Sequence, residues 1–559
     1  MQQLSMAHLD PASAPAAPPP EGIVLRTFRN GDEQAWADII NTTDMGGDYG
    51  IAKVRQTLTH RPRFDPAGLF FACDAATGEP LATACAWWSF SRGRMRPTLH
   101  MVGAKPAATG KGLGRVVCRA VLDYFARGGR REVVLTTDDH RLPALATYLR
   151  LGFQPARYHR GADHAERWEA VFKALSGKIA PAPFAGRGRP VAIGVFGLWR
   201  GAHLAGQLGG HPAGQVAAGC DRNDARRGDF IRQFSAAETF AEYGDLLASP
   251  AEAVIVANDC PDHAGAAIAA LDAGKDVLSE VTAFHTPAEG VALVEAAQRA
   301  RGTYMMAENC LYASGMMELT HQAAQGALGA LQYAEGDYVH DCRYLMSPEG
   351  TGHWRNWFPP LLYCTHPLGP ILRAGSDRPV RVVGMHAGSR MERTGGGIDL
   401  GSMLVGCASG ALVRIAAALA VNREPASLWV CYYGLRGAFE TDRWTDRVHL
   451  FRPGSRHADG PVSYRPTGRD GRAHTTAGHF GADPRLMEYW VEALANGLSS
   501  PIDVYEAADM TLPGILGHRS SVTGSAPIDV PDLRDGHARD AWRDDHARPD
   551  PANPTGLIS

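Results

Sequence analysis

The sequence predicts a multidomain protein of α/β and α+β class. An α/β unit comes first, then a parallel sheet with crossover helices, then an α+β unit built on an open, mostly antiparallel sheet. Three observations carry this. At 559 residues the chain exceeds what one core sustains, at roughly one domain per 150 residues. Short apolar strands alternate with helical stretches around two glycine turns, "TGKGLG" at 109–114 and "GLWRG" at 197–201. Beyond about residue 330 the pattern changes to long β-rich runs with few helices between them.

Residues 1–22 are rich in Pro and Ala and predict a disordered tail, without the basic start and apolar run of a secretory signal. The first folded unit, 23–175, opens with strand "IVLRTF" and helix "DEQAWADIINTT". "GLFFACDAATGEPLATACAWWSF" reads as a hairpin, because "AATGEP" separates two β-rich runs. Next come strand "TLHMVGAKP" and helix "GRVVCRAVLDYFARGG", which Gly128-Gly129 stops. Strand "EVVLTT", helix "LPALATYLRL" and a closing strand "ERWEAVFKAL" complete the unit.

Residues 176–188 predict a linker by their Gly, Pro and Ala content. Over 189–310, strands "VAIGVFG", "GQVAAGCD", "AVIVAND" and "DVLSEV" alternate with helices such as "HAGAAIAALDAGK" and "PAEGVALVEAAQRARG". That alternation calls for a Rossmann-type parallel sheet. Residues 311–534 carry the β-rich runs, with helix "PRLMEYWVEALANG" packing back on the earlier units, and 535–559 predict a second disordered, polar tail.

Hydrophobic content of 45% and charge of 21% are those of an ordinary globular protein. A net charge of −3 gives no basic excess, so nucleic acid is not an expected partner, and no apolar run is long enough for a membrane span. Ten cysteines without a CxxC pair read as reduced, buried thiols of a cytoplasmic protein.

At the first turn, Thr109-Gly110-Lys111-Gly112-Leu113-Gly114 opens a long helix, where glycines let a ligand approach and free amides offer donors to an anion. The ordered set "HMVGAKPAATGKGLGRVV", "VVLTTDD" and "ALATYLRLGFQP" resembles the GCN5-related N-acetyltransferase (GNAT) superfamily over about 23–175. Thr109 departs from the first position of that family's pyrophosphate loop. The resemblance implies acetyl-CoA as co-substrate, with pyrophosphate on the amides of Gly110 to Arg115, and Gly110, Lys111, Gly112, Gly114 and Arg115 as cofactor-binding residues. It places Tyr148 where a phenol protonates the leaving thiolate of an amine acetylation. Asp138, Asp139 and His140 sit at a strand end and read as solvated loop residues or as aids to amine deprotonation.

The second turn has Gly197 and Gly201 at a strand-to-helix junction, with Trp199 where a strict dinucleotide fingerprint has glycine. Asp221 ends the next strand 24 residues after Gly197, close to the roughly 20 expected for an acid on the adenosine ribose. Such an acid favours NAD over NADP.

Residues 189–534 resemble the Gfo/Idh/MocA oxidoreductases. That resemblance implies an open-sheet C-terminal domain, a sugar or cyclitol between the two domains, and cofactor contacts from Gly197, Gly201, Asp221, Asn258, His263, Glu280 and Asn309. Members often carry Glu-Lys-Pro after the strand that holds Glu280; this chain has Glu280-Val281-Thr282, without the lysine. The segments "AENCLYASGMMEL", "AEGDYVHDCRY", "GHWRNW" and "YCTHPLGPI" resemble the branch of NAD-dependent glycoside hydrolases of the α-N-acetylgalactosaminidase type. That branch oxidises a sugar hydroxyl transiently and returns the hydride. The chemistry needs proton acceptors, for which His340 and Tyr338 (one strand face, two apart), Tyr312 and His366 are the candidates. Glu308 joins Asn309 on the cofactor side, and Trp354-Arg355-Asn356-Trp357 reads as a sugar-stacking edge or a loop clamp. His340, His353 and His366 lack metal-ligand spacing, so no metal is expected.

The expected function is a fusion of an acetyl-CoA-dependent N-acetyltransferase acting on an amine with an NAD-dependent oxidoreductase acting on a sugar-like substrate. Redox-neutral glycoside cleavage is the alternative for the second module, and a non-catalytic ligand sensor the alternative for the first. The family resemblance adds a homo-oligomer, a dimer or tetramer.

Overall fold

The computed structural model describes every residue except 1–2, 46, 158–163, 236, 347–352, 392–396, 453–459 and 468–476. Two compact units emerge: Met1–Pro190 with Val491–Ser499, and Val191–Trp490 with Ser500–Ser559.

The first unit is a seven-stranded sheet of β1 (Leu4–His8), β2 (Ile23–Thr27), β3 (Leu69–Asp74), β4 (Pro80–Ser91), β5 (Arg94–Ala104), β6 (Val133–Thr137) and β7 (Gln154–Ala156). Its order is β2-β3-β4-β5-β6-β1-β7. The helix Leu113–Arg127 covers one face, burying Leu113, Val117, Val121 and Phe125 along one stripe at helical spacing.

Two expectations fail here for one reason. The stretch 1–22 is not a featureless tail: β1 lies inside the sheet, antiparallel to both β6 and β7, with Leu4 and Met6 fully buried. It holds the place expected for "ERWEAVFKAL", which instead belongs to the helix His164–Ala174. Trp168, Val171 and Leu175 are buried at steps of three and four, the period of a helix rather than of a strand. The expected linker is also packed, with Ala185 buried and Ile179 and Phe184 against the core.

The second unit opens with β8 (Val191–Phe196), β9 (Gly214–Cys220), β10 (Glu238–Phe240), β11 (Ala253–Val256), β12 (Asp276–Ser279) and β13 (Tyr304–Met306). These pair in parallel in the order β10-β9-β8-β11-β12-β13. Strand order reverses beside β8, the switch point at which such sheets bind ligands beyond their strand ends.

The second sheet of this unit has nine strands: β14 (Leu331–Val339), β15 (Pro379–His386), β16 (Leu400–Cys407), β17 (Leu412–Ala418), β18 (Ser427–Gly434), β19 (Gly437–Thr441), β20 (Val448–Phe451), β21 (Val462–Tyr464) and β22 (Ile528–Asp529). The order is β21-β20-β19-β18-β14-β17-β16-β15-β22, antiparallel throughout except for the pair β14 and β17. β16 alternates buried and less buried residues, the mark of a sheet covered on one face.

Residues 535–559, expected to be disordered, form the helix Gly536–Trp542 and a hairpin of β23 (Arg548–Asp550) and β24 (Asn553–Ile558). Charge rather than apolar area anchors them: Arg519 binds Asp545 and Arg543 binds Glu295, each at 2.7 Å.

If β1 is integral to the first sheet, Met6→Asp buries a charge between β6 and β7 and destabilises that unit by about 3 kcal/mol or more. Hydrogen exchange on the full chain reads this out. Lost protection of the β6 and β7 amides is the expected result, and wild-type protection would show that β1 is dispensable.

Candidate functional site

In the first unit the glycine turn leads into the helix Leu113–Arg127. Gly110 and Gly112 have φ of +82° and +76°, a region closed to most side chains. A Cβ at 110, 112 or 114 would meet nothing within 4 Å, so the turn faces open space. Lys111 and Arg115 are exposed at the start of this helix, where the amides of Leu113 and Gly114 precede the first helical bonds; the amide of Arg115 already donates to the Gly112 carbonyl oxygen at 3.0 Å. β5 and β6 run parallel but pair only at Thr98 and Val134, leaving a gap in the ladder next to the turn.

Tyr148 lies on the helix Leu142–Arg150, edge-on to Phe153 at 6.0 Å, and burial pushes its phenol well up, so it is a neutral donor at ordinary pH. The three loop candidates are ion-paired or hydrogen-bonded: Gln3 donates to Asp138, Arg167 to Asp139, and His140 faces Asp44 at 2.8 Å.

In the second unit a cavity of about 800 Å³ opens at the carboxyl ends of the parallel strands. Gly197, Asp221, Asn258, His263, Glu280, Asn309, Tyr338, His340 and His366 all line it, so most of the candidates read from sequence converge. Gly197 has φ of +89°, and a Cβ there would meet the Ala257 carbonyl oxygen at 2.3 Å. Gly201 does not line the cavity; a Cβ on it would strike Val195 at 2.5 Å, so its role is close helix–strand packing. Asp221 accepts from the amides of Leu198 and Asn223, both at 2.9 Å, with Arg226 at 3.4 Å. His263 sets its two ring nitrogens 3.0 and 3.1 Å from the carbonyl oxygens of Thr282 and Asn258; burial keeps the ring neutral, so it donates to one of them and holds the turn. The buried Asn258 Oδ1 has no partner among the described residues, which suits a donor from a bound dinucleotide.

Three further residues organise this end of the cavity, and sequence reasoning missed all of them. Arg200 gives its Nε to Glu280 at 2.6 Å and both terminal nitrogens to Asp483 at 2.9 and 3.0 Å. Asp483, fully buried, also accepts from Asn309 and His479, each at 2.8 Å. Burial alone would raise its carboxyl, but His479 and Arg200 hold it far below the usual carboxylate range. Arg200 was visible inside "GLWRG"; Asp483, in the middle of a helix, carries no sequence signal. Tyr363 stacks on Tyr338 with ring centroids 6.3 Å apart and lies edge-on to His366 at 5.6 Å. Its spacing three residues before His366 was the available clue.

His366 Nδ1 binds the buried Glu308 at 2.7 Å. Burial alone would lower the imidazole, but Cys310 and Glu308 carry it well above the ordinary histidine range, so it is charged at neutral pH. Glu308, which burial would raise, is held down by His366. His340 goes the other way: burial lowers it and keeps it neutral. Tyr338 Oη stands 3.2 Å from His340 Nδ1, and its ring lies 4.7 Å from that of His366. No metal was expected, yet Glu308, Cys310 and His366 bring donor atoms within 4.8 Å of one another. Their hydrogen bonds to each other and to neighbouring backbone account for that closeness.

Tyr312 is a correction. It does not line the cavity but is fully buried against Tyr489, 5.4 Å between centroids, because its short 3-10 turn points into the core. The tetrad at 354–357 divides: Trp354 and Arg355 line the cavity, whereas Asn356 and Trp357 are buried.

Comparison with known proteins agrees with this geometry. The Acetyltransferase (GNAT) family matches residues 36–153, the Oxidoreductase family, NAD-binding Rossmann fold, matches 191–308, and the Glycosyl hydrolase 109, C-terminal domain, matches 464–542. The α-N-acetylgalactosaminidase of Bacteroides fragilis is 26% identical over 334 residues, 52% of this chain and 76% of that protein. The mycothiol acetyltransferase of Nocardia farcinica is 34% identical over 143 residues, 24% of this chain and 47% of that protein. A levoglucosan dehydrogenase solved with NADH and levoglucosan superposes with a TM-score of 0.55 at 18% identity, over 61% of this chain and all of that one, a likeness of fold alone. Among the described residues no helix is long and apolar enough to cross a membrane. The chain thus joins a GNAT acetyltransferase domain to an NAD-binding Gfo/Idh/MocA oxidoreductase module whose homologues include glycosyl hydrolase family 109 proteins.

Proposed function

We propose that the second unit oxidises a hydroxyl of a sugar or cyclitol-like substrate with NAD, and that the first transfers an acetyl group from acetyl-CoA to an amine. One observation carries the first half. Tyr338, His340, Tyr363 and His366 share a single cavity with Asp221, Asn258 and Glu280. Bound NAD supplies the hydride acceptor. The acid Asp221 and the unpartnered Asn258 Oδ1 suit its ribose and amide groups.

Tyr338 takes the proton of the substrate hydroxyl and passes its own to neutral His340, 3.2 Å away. Charged His366, oriented by Glu308, donates from Nε2 to a second substrate oxygen. No lysine is needed at Val281 for either transfer.

The absent lysine and the second proton donor favour a further reading: transient oxidation makes the neighbouring C–H acidic, its proton is lost to solvent as the glycosidic C–O bond breaks and His366 protonates the leaving oxygen, water then adds with a proton returned to that carbon, and the hydride comes back, so that no net oxidation occurs. The α-N-acetylgalactosaminidase relative makes an α-N-acetylgalactosaminide the substrate to try first. In the first unit, the amides after Gly112 with Lys111 and Arg115 suit pyrophosphate, the gap between β5 and β6 suits the acyl arm, and Tyr148 suits the departing thiolate. The face of the nine-stranded sheet that carries Glu335 exposes Met385, Leu404, Leu412 and Tyr433, which supports a dimer or tetramer, and the free, buried cysteines suit a cytoplasmic setting.

With an α-N-acetylgalactosaminide, NADH formed in step with sugar consumed supports dehydrogenation. Cleavage at constant NADH supports the redox-neutral reading. His340→Ala abolishes either while NADH still binds, and unimpaired turnover would remove His340 from the site. Gly112→Asp, placed in the full chain, sets a carboxylate against the incoming pyrophosphate and abolishes acetyl transfer. Retained transfer would sink the first-unit assignment.

A further inference from the structure

We propose that His100 takes the proton of the attacking amine in the first unit's acetyl transfer, on the face of the sheet opposite Tyr148. This rests on the reading above that the acyl arm enters the gap between β5 and β6.

The register of the sheet sets the face. Cys85 of β4 pairs with His100 of β5, and Trp87 with Thr98, so these four side chains point to one side by the two-residue period. Cys85 and Trp87 pack there with Trp36, Ile39 and Ile40 of the helix Glu33–Ile40. Leu99, next to His100, belongs to the other side, in the core that holds Leu113, Val117 and Tyr148. The register also sets the distance from the gap. β5 bridges β6 at Thr98 and Val134, and His100 is the next residue on its face beyond that bridge. Immediately after it the ladder to β4 slips, where Met101 takes a φ of +51°. His100 is thus the last side chain on this face before the bulge, at the edge of the opening.

The surroundings of the ring suit a proton acceptor. It stacks on Trp87, with centroids 5.7 Å apart and planes at 23°, which fixes its orientation. Neither ring nitrogen has a hydrogen-bond partner among the described residues, and the side chain is half-buried. Desolvation, helped by the charge of Arg63, lowers the imidazole to about 4 and keeps it neutral. The Arg63 guanidinium lies 5.1 Å from the centre of the Trp87 ring, and a cation there also disfavours an ammonium, so the amine enters neutral.

The amine nitrogen bonds to the thioester carbonyl carbon, whose π electrons move to oxygen. That bond makes the N–H far more acidic than in the free amine, so a weak neutral base suffices, and His100 takes the proton. Collapse of the adduct breaks the C–S bond, and Tyr148 protonates the departing sulfur. Solvent then takes the proton from His100 and returns one to Tyr148, leaving an amide and a free thiol. Acceptance and donation come from opposite sides of the sheet, so neither group quenches the other.

The test uses the full-length protein, acetyl-CoA and three amine probes: glycinamide, 2-phenylethylamine and glucosamine. Mass spectrometry reads the N-acetyl product, and calorimetry reads acetyl-CoA binding. With the best probe, His100→Phe, which keeps an aromatic ring on Trp87 but has no nitrogen, should lower kcat about a hundredfold or more at unchanged acetyl-CoA affinity. His100→Gln, which keeps a polar group but takes no proton, should lose as much. A kcat near wild type in either variant overturns the role of His100 and leaves acetyl transfer standing. Loss of acetyl-CoA binding in both variants makes His100 structural and overturns the proposal as well. If the wild type acetylates none of the probes, the acetyl-transfer reading falls and the role of His100 with it.

Discussion

The second unit depends on one buried carboxylate. Asp483 is fully buried, and a charge there is tolerable only because Arg200, Asn309 and His479 surround it. Through Arg200 the same ion pair reaches Glu280. The loops after β8, β12 and β13 and the helix Ala477–Ala495 therefore meet at a single point. Removing one partner of such a pair typically costs 3–5 kcal/mol, because the other charge is left buried and alone. The wall of the cavity is set by this constraint, and Asn309, one residue from Glu308, carries it towards the His366 pair.

Around that fixed wall the site separates acid from base. His366 and His340 both adjoin Tyr338, yet burial and neighbours drive them in opposite directions, one charged and one neutral. A phenol between a proton donor and a proton acceptor can serve oxidation of a hydroxyl or cleavage of a glycosidic bond. The substrate, rather than the residues, decides between the two chemistries.

What the sequence made legible follows from how local each signal is. Gly197 and Asp221 stand at strand ends whose chemistry is set within some twenty-five residues, and both line the cavity. Tyr338 and His340 share a strand face by the two-residue period. Long-range partners were illegible. Asp483 lies 283 residues from Arg200, and no spacing rule links a mid-helix aspartate to a glycine turn. β1 was hidden because strand pairing depends on an edge offered by β6 and β7, while a Pro- and Ala-rich neighbourhood argues for disorder. Tyr312 shows the reverse error: its surroundings pointed to the site, but one turn of 3-10 helix directs it into the core.

The most direct measurement is a double-mutant cycle on full-length protein, Arg200→Gln against Asp483→Asn, read as NADH affinity by fluorescence titration. If one buried pair shapes the cofactor end, each single change weakens binding about tenfold, and the double change loses no more than the worse single. Affinity unchanged in the singles, or losses that simply add, would contradict the account.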